Sequence, residues 1–178
     1  QESSSESAHA YLAVALLGDA TGDRGLRDWG RLCLATEVRG AKTYWQMGKD
    51  SAVYADAFKK NRMAGSVAGT AAIATTWFGS NPEYVHGINI LPVLVGLTDL
   101  LFDPAYACDE LPTLNAALAR QRPYPPVEAS WRGFAYADLA LVDPDEAWKL
   151  ASKLDEAKFD DGATKANLLH WIASRRSN

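Results

Sequence analysis

Residues 5–18 read SESAHAYLAVALLG, and this stretch decides the fold class. Its apolar residues recur at the spacing of one helix face, at Ala8, Tyr11, Leu12, Ala15 and Leu16. That spacing predicts an amphipathic helix from about residue 5 to residue 18. Gly18 and then Gly22 provide stop signals, because glycine adopts the left-handed conformation that ends many helices.

A second, longer helix is predicted between Gly22-Asp23 and Gly48. An apolar stripe continues through this segment, at Leu26, Trp29, Leu32, Cys33, Thr36, Ala41, Tyr44 and Trp45. Since only a few residues separate the two helices, we expect them to pack antiparallel. The chain therefore begins as a helical pair.

The rest of the chain is predicted to be mostly helical, with one exception. Helices are expected at residues 92–102, 104–120, 130–141, 144–154 and 162–174, the last two starting at Asp143-Pro144 and Asp161-Gly162. Small and β-branched residues around Gly69-Thr70 predict a short hairpin. Residues 75–87 are rich in aromatic, polar and turn-forming residues, which is typical of a functional loop.

Because the helical pairs lack a repeat of fixed period, they suit part of an α/α barrel better than a solenoid. We predict one mainly α fragment, residues 1–178, that is part of an (α/α)6 barrel with a short β-hairpin insertion.

Composition excludes several classes of function. With 178 residues, 48% hydrophobic and 22% charged, the chain is an ordinary globular protein. The net charge of −4 gives no reason to expect the basic groove that a nucleic acid would need. No apolar run is long enough for a membrane span. The two cysteines, Cys33 and Cys108, are expected to be buried thiols, and the three histidines lack the spacing of metal ligands, so we predict no metal and no cofactor.

Two acidic residues at the amino end, Glu2 and Glu6, are four positions apart and share one helix face. Hydrolysis of a glycosidic bond needs such groups, since one carboxyl group protonates the leaving oxygen and another, ionised, activates water or attacks the sugar. The alternative is structural. The Ser3-x-x-Glu6 spacing is also that of a capping box, in which both side chains satisfy free backbone donors at a helix start.

The aromatic loop has the side chains that recognise sugars. Indole and phenol rings stack on the apolar face of a pyranose, while carboxylates, amides and imidazole bind its hydroxyls. The candidate substrate-binding residues are Trp77, Glu83, Tyr84, His86 and Asn89, with Tyr44 at the end of the second helix. The alternative for Trp77 and Phe78 is that they hold the loop against the core.

Six segments, in order, resemble the carboxy-terminal catalytic part of glycoside hydrolase family 81, the endo-β-1,3-glucanases. They are QESSSE at residues 1–6, AVALLG at 13–18, YW at 44–45, TWFG at 76–79, PEYVHGIN at 82–89 and FDDG at 159–162. The resemblance covers essentially the whole chain, and the QESSSE and aromatic-loop segments are its most specific parts.

The resemblance implies internal cleavage of β-1,3-glucan with inversion, in an α/α barrel of six helical pairs. It places the general base at Glu2 or Glu6, with Glu2 favoured and Glu6 as its supporting partner. The general acid would be an aspartate upstream of this chain, so the rest of the enzyme is an expected partner and the fragment alone is expected to be inactive. A secreted or cell-wall location is also implied. The competing hypothesis is a non-catalytic helical module that binds glucan or another protein.

Overall fold

The first two helices form the predicted antiparallel pair. A computed structural model describes residues 3–120, 125–159 and 162–176; α1 spans Ser4–Thr21 and α2 spans Arg24–Gly40. The chain turns at Gly22, whose φ of 73° suits glycine. The helices approach closely because Gly30 faces Ala15, where an added Cβ would lie 2.5 Å from the Ala15 backbone nitrogen.

The segment after α2 differs from the predicted long helix. The α-helical hydrogen bonding ends at Gly40, and Ala41–Trp45 form a π-helical turn. A short helix, α3, follows at Asp56–Lys59. The hairpin is confirmed, with β1 at Ser66–Ala68 paired antiparallel to β2 at Ala71–Ile73.

A helix that the sequence did not predict lies within the expected loop. This helix, α4, spans Pro82–Ile90 and begins with Pro82, whose fixed φ suits the first helical turn. Most of its residues are buried, including Glu83, His86 and Asn89. Its polar residues therefore face the interior, and the prediction of a loop over 82–87 was wrong.

The later helices are shorter than predicted. Of residues 92–102, only Thr98–Leu101 form a helix, α5, because Gly96 turns the chain with a φ of 88°. The remaining helices are α6 at Pro104–Leu118, α7 at Ala129–Leu139, α8 at Pro144–Ala151 and α9 at Lys165–Ala173, with a 3-10 turn at Glu156–Lys158 before α9. Asp143 caps α8 as predicted. Thr164 caps α9, and the predicted start at Asp161 lies outside the described residues.

The core surrounds α4, which packs against α1, α6 and α7, while α7 also packs against α8 and α9. The largest fully buried side chains include Trp171, Met47, Met63 and Leu101. The fold is thus mainly α, as predicted. Among the described residues, no helix has both the length and the apolar character to cross a membrane.

The outer side of the α1–α2 pair is apolar and exposed, at Leu16, Leu17, Trp29 and Leu32. The prediction of buried thiols was wrong, since Cys33 is half-buried and Cys108 is exposed. Both cysteines are free thiols.

Candidate active site

The three serines at the start of α1 hold this helix against the end of α4. The Ser3 hydroxyl donates to the Ile88 carbonyl at 2.9 Å, and the Ser5 hydroxyl donates to the carbonyls of Leu91 and Ile88. Carbonyls at a helix carboxyl end lack partners within their own helix, so these hydroxyls satisfy them. We call this contact, formed by residues 3–5 with residues 88, 89 and 91, the serine junction.

Asn89 lies at the centre of the serine junction and is fully buried. Its Oδ1 accepts hydrogen bonds from the Ser4 backbone N–H at 3.1 Å and from the Ser4 hydroxyl at 2.9 Å. Its Nδ2 donates to the carbonyls of Val85 at 2.9 Å and Ala64 at 3.3 Å. The amide thus joins α1, α4 and the segment that leads into the hairpin.

Glu6 leaves the junction toward solvent. Ser4 and Ser5 are buried, whereas Glu6, one position further along the helix, is exposed. Half of the capping box is present, because the Ser3 hydroxyl accepts the Glu6 N–H at 3.1 Å. That cap uses the Glu6 backbone, and the carboxylate has no hydrogen-bonding partner within the part of the chain that the structure describes. Glu2, the other predicted catalytic residue, lies outside the described residues.

Trp77 is the most exposed large apolar residue of the aromatic loop, with 83% of its surface accessible. The loop turns tightly beneath it, since the Thr76 N–H donates to the Gly79 carbonyl at 2.8 Å and the Gly79 N–H to the Thr76 hydroxyl at 3.1 Å. The indole lies edge-on to Phe78, with ring centroids 5.4 Å apart. Trp77 is therefore exposed but held.

A stack of aromatic rings supports this loop from below; we call it the aromatic stack, formed by Phe78, Tyr84, Trp131 and Phe134. Phe78 stacks on Trp131 at 5.8 Å, and Tyr84 lies 4.9 Å from the same ring. Gly79 fits against Tyr84, where a Cβ would lie 2.6 Å from the ring. Tyr84, half-buried among these rings, thus positions the loop.

The hairpin base connects the candidate residues. Ala64 donates its N–H to the Trp45 carbonyl at 2.9 Å and accepts from Asn89, while the Ser66 hydroxyl donates to the Thr75 carbonyl at 3.2 Å. Tyr44, which precedes Trp45, is 48% exposed. Residues 64–66 therefore connect three parts of the candidate site. These are the first turn of α1, which carries Glu6 and which we call the acidic turn, the segment with Tyr44, and the loop that carries Trp77.

Three predicted sugar-binding residues are interior residues in the structure. The Glu83 carboxylate is buried against the Arg120 guanidinium. His86 is buried, with Nδ1 2.6 Å from Glu110 Oε1 and Nε2 3.0 Å from the Asn61 carbonyl. These atoms and those of Asn89 contact protein groups, and the sugar contacts of Glu83, His86 and Asn89 stay a prediction.

A further buried acid, Asp138, had no recognisable pattern in the sequence; α7 directs it into the same interior. Burial, followed by the nearby Glu110 carboxylate, raises the pKa of Asp138 well above its usual range. Burial and Glu110 likewise raise the pKa of the Tyr106 hydroxyl. Within the described residues, no group of three or more His, Cys, Asp and Glu side chains is arranged to hold a metal ion.

Comparisons with known proteins agree on one family. The chain is 33% identical to a glucan endo-1,3-beta-D-glucosidase of Thermobifida fusca, over 98% of this chain and 22% of that protein. It is 31% identical to the primary septum glucan endo-1,3-beta-D-glucosidase of Schizosaccharomyces pombe, over 100% of this chain and 17% of that protein. The chain thus spans about a fifth of the length of these relatives.

A solved structure agrees with this result. A glycoside hydrolase family 81 protein from Clostridium thermocellum superimposes with a TM-score of 0.75 and 31% identity, over 98% of this chain and 23% of that one. The sequence profile described as the glycosyl hydrolase family 81 C-terminal domain matches residues 1–172. The chain therefore belongs to glycoside hydrolase family 81, as part of its C-terminal domain.

Proposed function

We propose that this chain is the general-base side of an endo-β-1,3-glucanase that hydrolyses laminarin-type glucan with inversion. The observation that carries the proposal is the orientation of Glu6, exposed beside serines that are buried in the serine junction. Such a fixed turn sets the direction in which the Glu6 side chain leaves the helix. The names of the relatives, glucan endo-1,3-beta-D-glucosidases, support this substrate class.

In the proposed reaction, Glu2 or Glu6 takes a proton from water as the water attacks the anomeric carbon. An acid across the cleft protonates the leaving oxygen, and inverting enzymes hold the two carboxyl groups about 6.5–9.5 Å apart. α1 begins at Ser4 after the extended N-cap residue Ser3, so the helix spacing predicted for the two acids applies to Glu6 and not to Glu2. Glu2 and Glu6 are not treated as an acid and base pair, because the acid is proposed to come from the rest of the enzyme; we favour Glu2 as base with Glu6 supporting it, and the reverse assignment stays open.

The proposed glucan contacts are the exposed aromatic residues near the hairpin. Trp77 presents its indole to solvent while Phe78 holds its edge, so a pyranose is able to stack on it without a change in the loop. Tyr44 offers a second exposed ring next to the same segment. Tyr84 supports the platform from below.

The general acid and the rest of an (α/α)6 barrel are proposed to come from the remainder of the enzyme. The exposed apolar side of the α1–α2 pair is suited to such packing, because large exposed apolar patches mark interaction surfaces. This chain alone is accordingly expected to be inactive on laminarin.

The test is neutralisation of each acid in the full-length enzyme. Glu2→Gln and Glu6→Gln should lower laminarin turnover, measured as reducing ends, and loss of the base should cost about 10²–10⁴-fold. The melting temperature should stay nearly unchanged, since glutamine keeps the size of the side chain.

Glu156→Gln is the matched control, because Glu156 is an exposed acid on the 3-10 turn before Phe159. It should retain full turnover. Undiminished hydrolysis by both the Glu2 and the Glu6 variants would contradict the proposal and favour a non-catalytic glucan-binding module.

A further inference from the structure

Asn89 differs from an ordinary buried amide in what it bonds. Four protein groups surround it, and two of them belong to Ser4, at the first turn of α1. The backbone N–H groups of a first helical turn have no partner within the helix. Asn89 Oδ1, on α4, accepts a hydrogen bond from the Ser4 N–H. The Ser3 hydroxyl, at the start of α1 itself, accepts one from the Glu6 N–H.

The opposite end of the amide fixes Asn89 itself. Nδ2 donates to Val85 on α4 and to Ala64 before the hairpin, so the direction of Oδ1 is set by two carbonyls on separate segments. Ala64 in turn binds the Trp45 carbonyl. A shift of the amide would therefore move the acidic turn relative to both Tyr44 and the hairpin.

We propose that Asn89 is a positioning residue for the Glu6 carboxylate, acting through the Ser4 backbone and hydroxyl. This inference rests on the proposed function. Asn89 touches neither substrate nor water in this role; it holds the direction in which the first turn of α1 presents Glu6. Misplacement of a catalytic group by about 1 Å is enough to cost on the order of a hundredfold in rate.

The experiment measures kcat and KM on laminarin for full-length Asn89→Ala, Asn89→Asp and Ser4→Ala, below the melting temperature of each variant. Asn89→Ala should lower kcat by about tenfold to a hundredfold, with KM changed by no more than about twofold. Asn89→Asp should also lower kcat, since it keeps an acceptor for Ser4 but sets an oxygen against the carbonyls of Val85 and Ala64, which then no longer fix the side chain. The double variant Ser4→Ala/Asn89→Ala should be no slower than Asn89→Ala, because the two residues act as one unit.

Asn167→Ala is the control, as it removes an amide outside the serine junction, on an exposed residue of α9, that donates to the Val93 carbonyl at 2.9 Å. It should lower the melting temperature without the selective loss of kcat. The inference is overturned if Asn89→Ala and Asn89→Asp keep the kcat of the control. Should Asn89→Ala fail to fold, Asn89→Asp and Ser4→Ala decide the matter, and full kcat in both overturns it.

The two proposals fail in different ways. Activity in both Glu2→Gln and Glu6→Gln contradicts the glucanase assignment, whatever Asn89 does. Inactive glutamate variants together with fully active Asn89 and Ser4 variants leave the glucanase standing and remove the positioning role.

Discussion

The acidic turn of α1 and the loop that carries Trp77 each hold one exposed side chain above buried residues, but the contacts that hold them are of different kinds. Hydrogen bonds among hydroxyls, an amide and carbonyls hold the acidic turn. Ring contacts among Phe78, Tyr84 and Trp131 hold the loop. Hydrogen bonds depend on direction and ring contacts mainly on volume. The chain thus holds the turn with Glu6 by directional contacts, as its proposed role as a base or supporting acid requires, and the loop with Trp77 by packing, which is enough for the proposed sugar platform.

The largest expected effect comes from removing the base of the aromatic stack. Trp131→Ala should lower the free energy of unfolding by about 3 kcal/mol, the lower end for loss of a large aromatic side chain, since Trp131 is partly buried against the core and contacts three other rings. The measurement is the midpoint of guanidinium unfolding of the full-length enzyme. Leu100→Ala is the control, because Leu100 is 50% exposed on α5 and lies outside the apolar side of the α1–α2 pair. Equal losses in the two variants would show that the stack is not a support.

The next effect concerns the acids behind the aromatic stack. Because burial raises the pKa of Asp138, the folded protein retains a proton that the unfolded chain releases above about pH 4. Stability should therefore fall as the pH rises from about 4 through the raised pKa. The groups around this acid are Glu83 and His86 from α4, Glu110 and Tyr106 from α6, and Arg120 after α6.

Asp138→Asn should remove that dependence. Relative to the parent, it should gain more than about 1 kcal/mol of stability at pH 8 and little near pH 4, as one unit of pKa corresponds to about 1.4 kcal/mol. Melting curves across this pH range provide the measurement. Asp56→Asn, at an acid whose side chain is 94% exposed, should show no such gain. The prediction would be contradicted if the stability of the parent protein rose from pH 4 to pH 8 and Asp138→Asn removed that rise.

A smaller effect should separate platform from support. Trp77→Ala should raise KM for laminarin by about tenfold, since stacking of a ring contributes about 0.5–1.5 kcal/mol beyond burial. The melting temperature should hardly change, because the indole is largely exposed. Steady-state kinetics of Trp77→Ala and of the exposed control Leu100→Ala test this. An unchanged KM would limit Trp77 to covering the loop.

The smallest effect concerns the cap within the serine junction. Ser3→Ala and Thr164→Ala each remove a hydroxyl that accepts an N–H at a helix start, at the Glu6 and Asn167 positions. Each should cost about 1 kcal/mol of stability. Only Ser3→Ala should also lower kcat, because only Ser3 belongs to the turn that carries the acids. Matching kcat values in the two variants would separate the cap from catalysis.

The elements that the sequence predicted well carry local signals. The α1–α2 pair was evident from apolar spacing and glycines, α8 from Asp143-Pro144, and the hairpin from Gly69-Thr70. For the site, Glu6 and Trp77 are exposed, and their catalytic and sugar-binding roles stay predictions. These signals depend on neighbouring residues alone.

The parts that the sequence did not predict depend on distant partners. Because α4 is buried on most sides, it lacks the alternation of polar and apolar faces by which a helix is usually detected. From the sequence, His86 and Asn89 are predicted to bind sugar; in the structure they contact Glu110 and Ser4, which lie far from them in the sequence. Asp138 has no local pattern at all, since its environment comes from α4 and α6.

The serine junction is built from neutral groups, and this has a consequence for the conditions under which the enzyme should work. Added salt screens charges over a distance of about 10 Å at 0.1 M, but it does not weaken contacts between hydroxyl, amide and carbonyl groups in the same way. The hydrogen bonds that hold the acidic turn should therefore be equally stable at low and at high salt concentration. Any dependence of turnover on ionic strength should then arise from the carboxylates themselves.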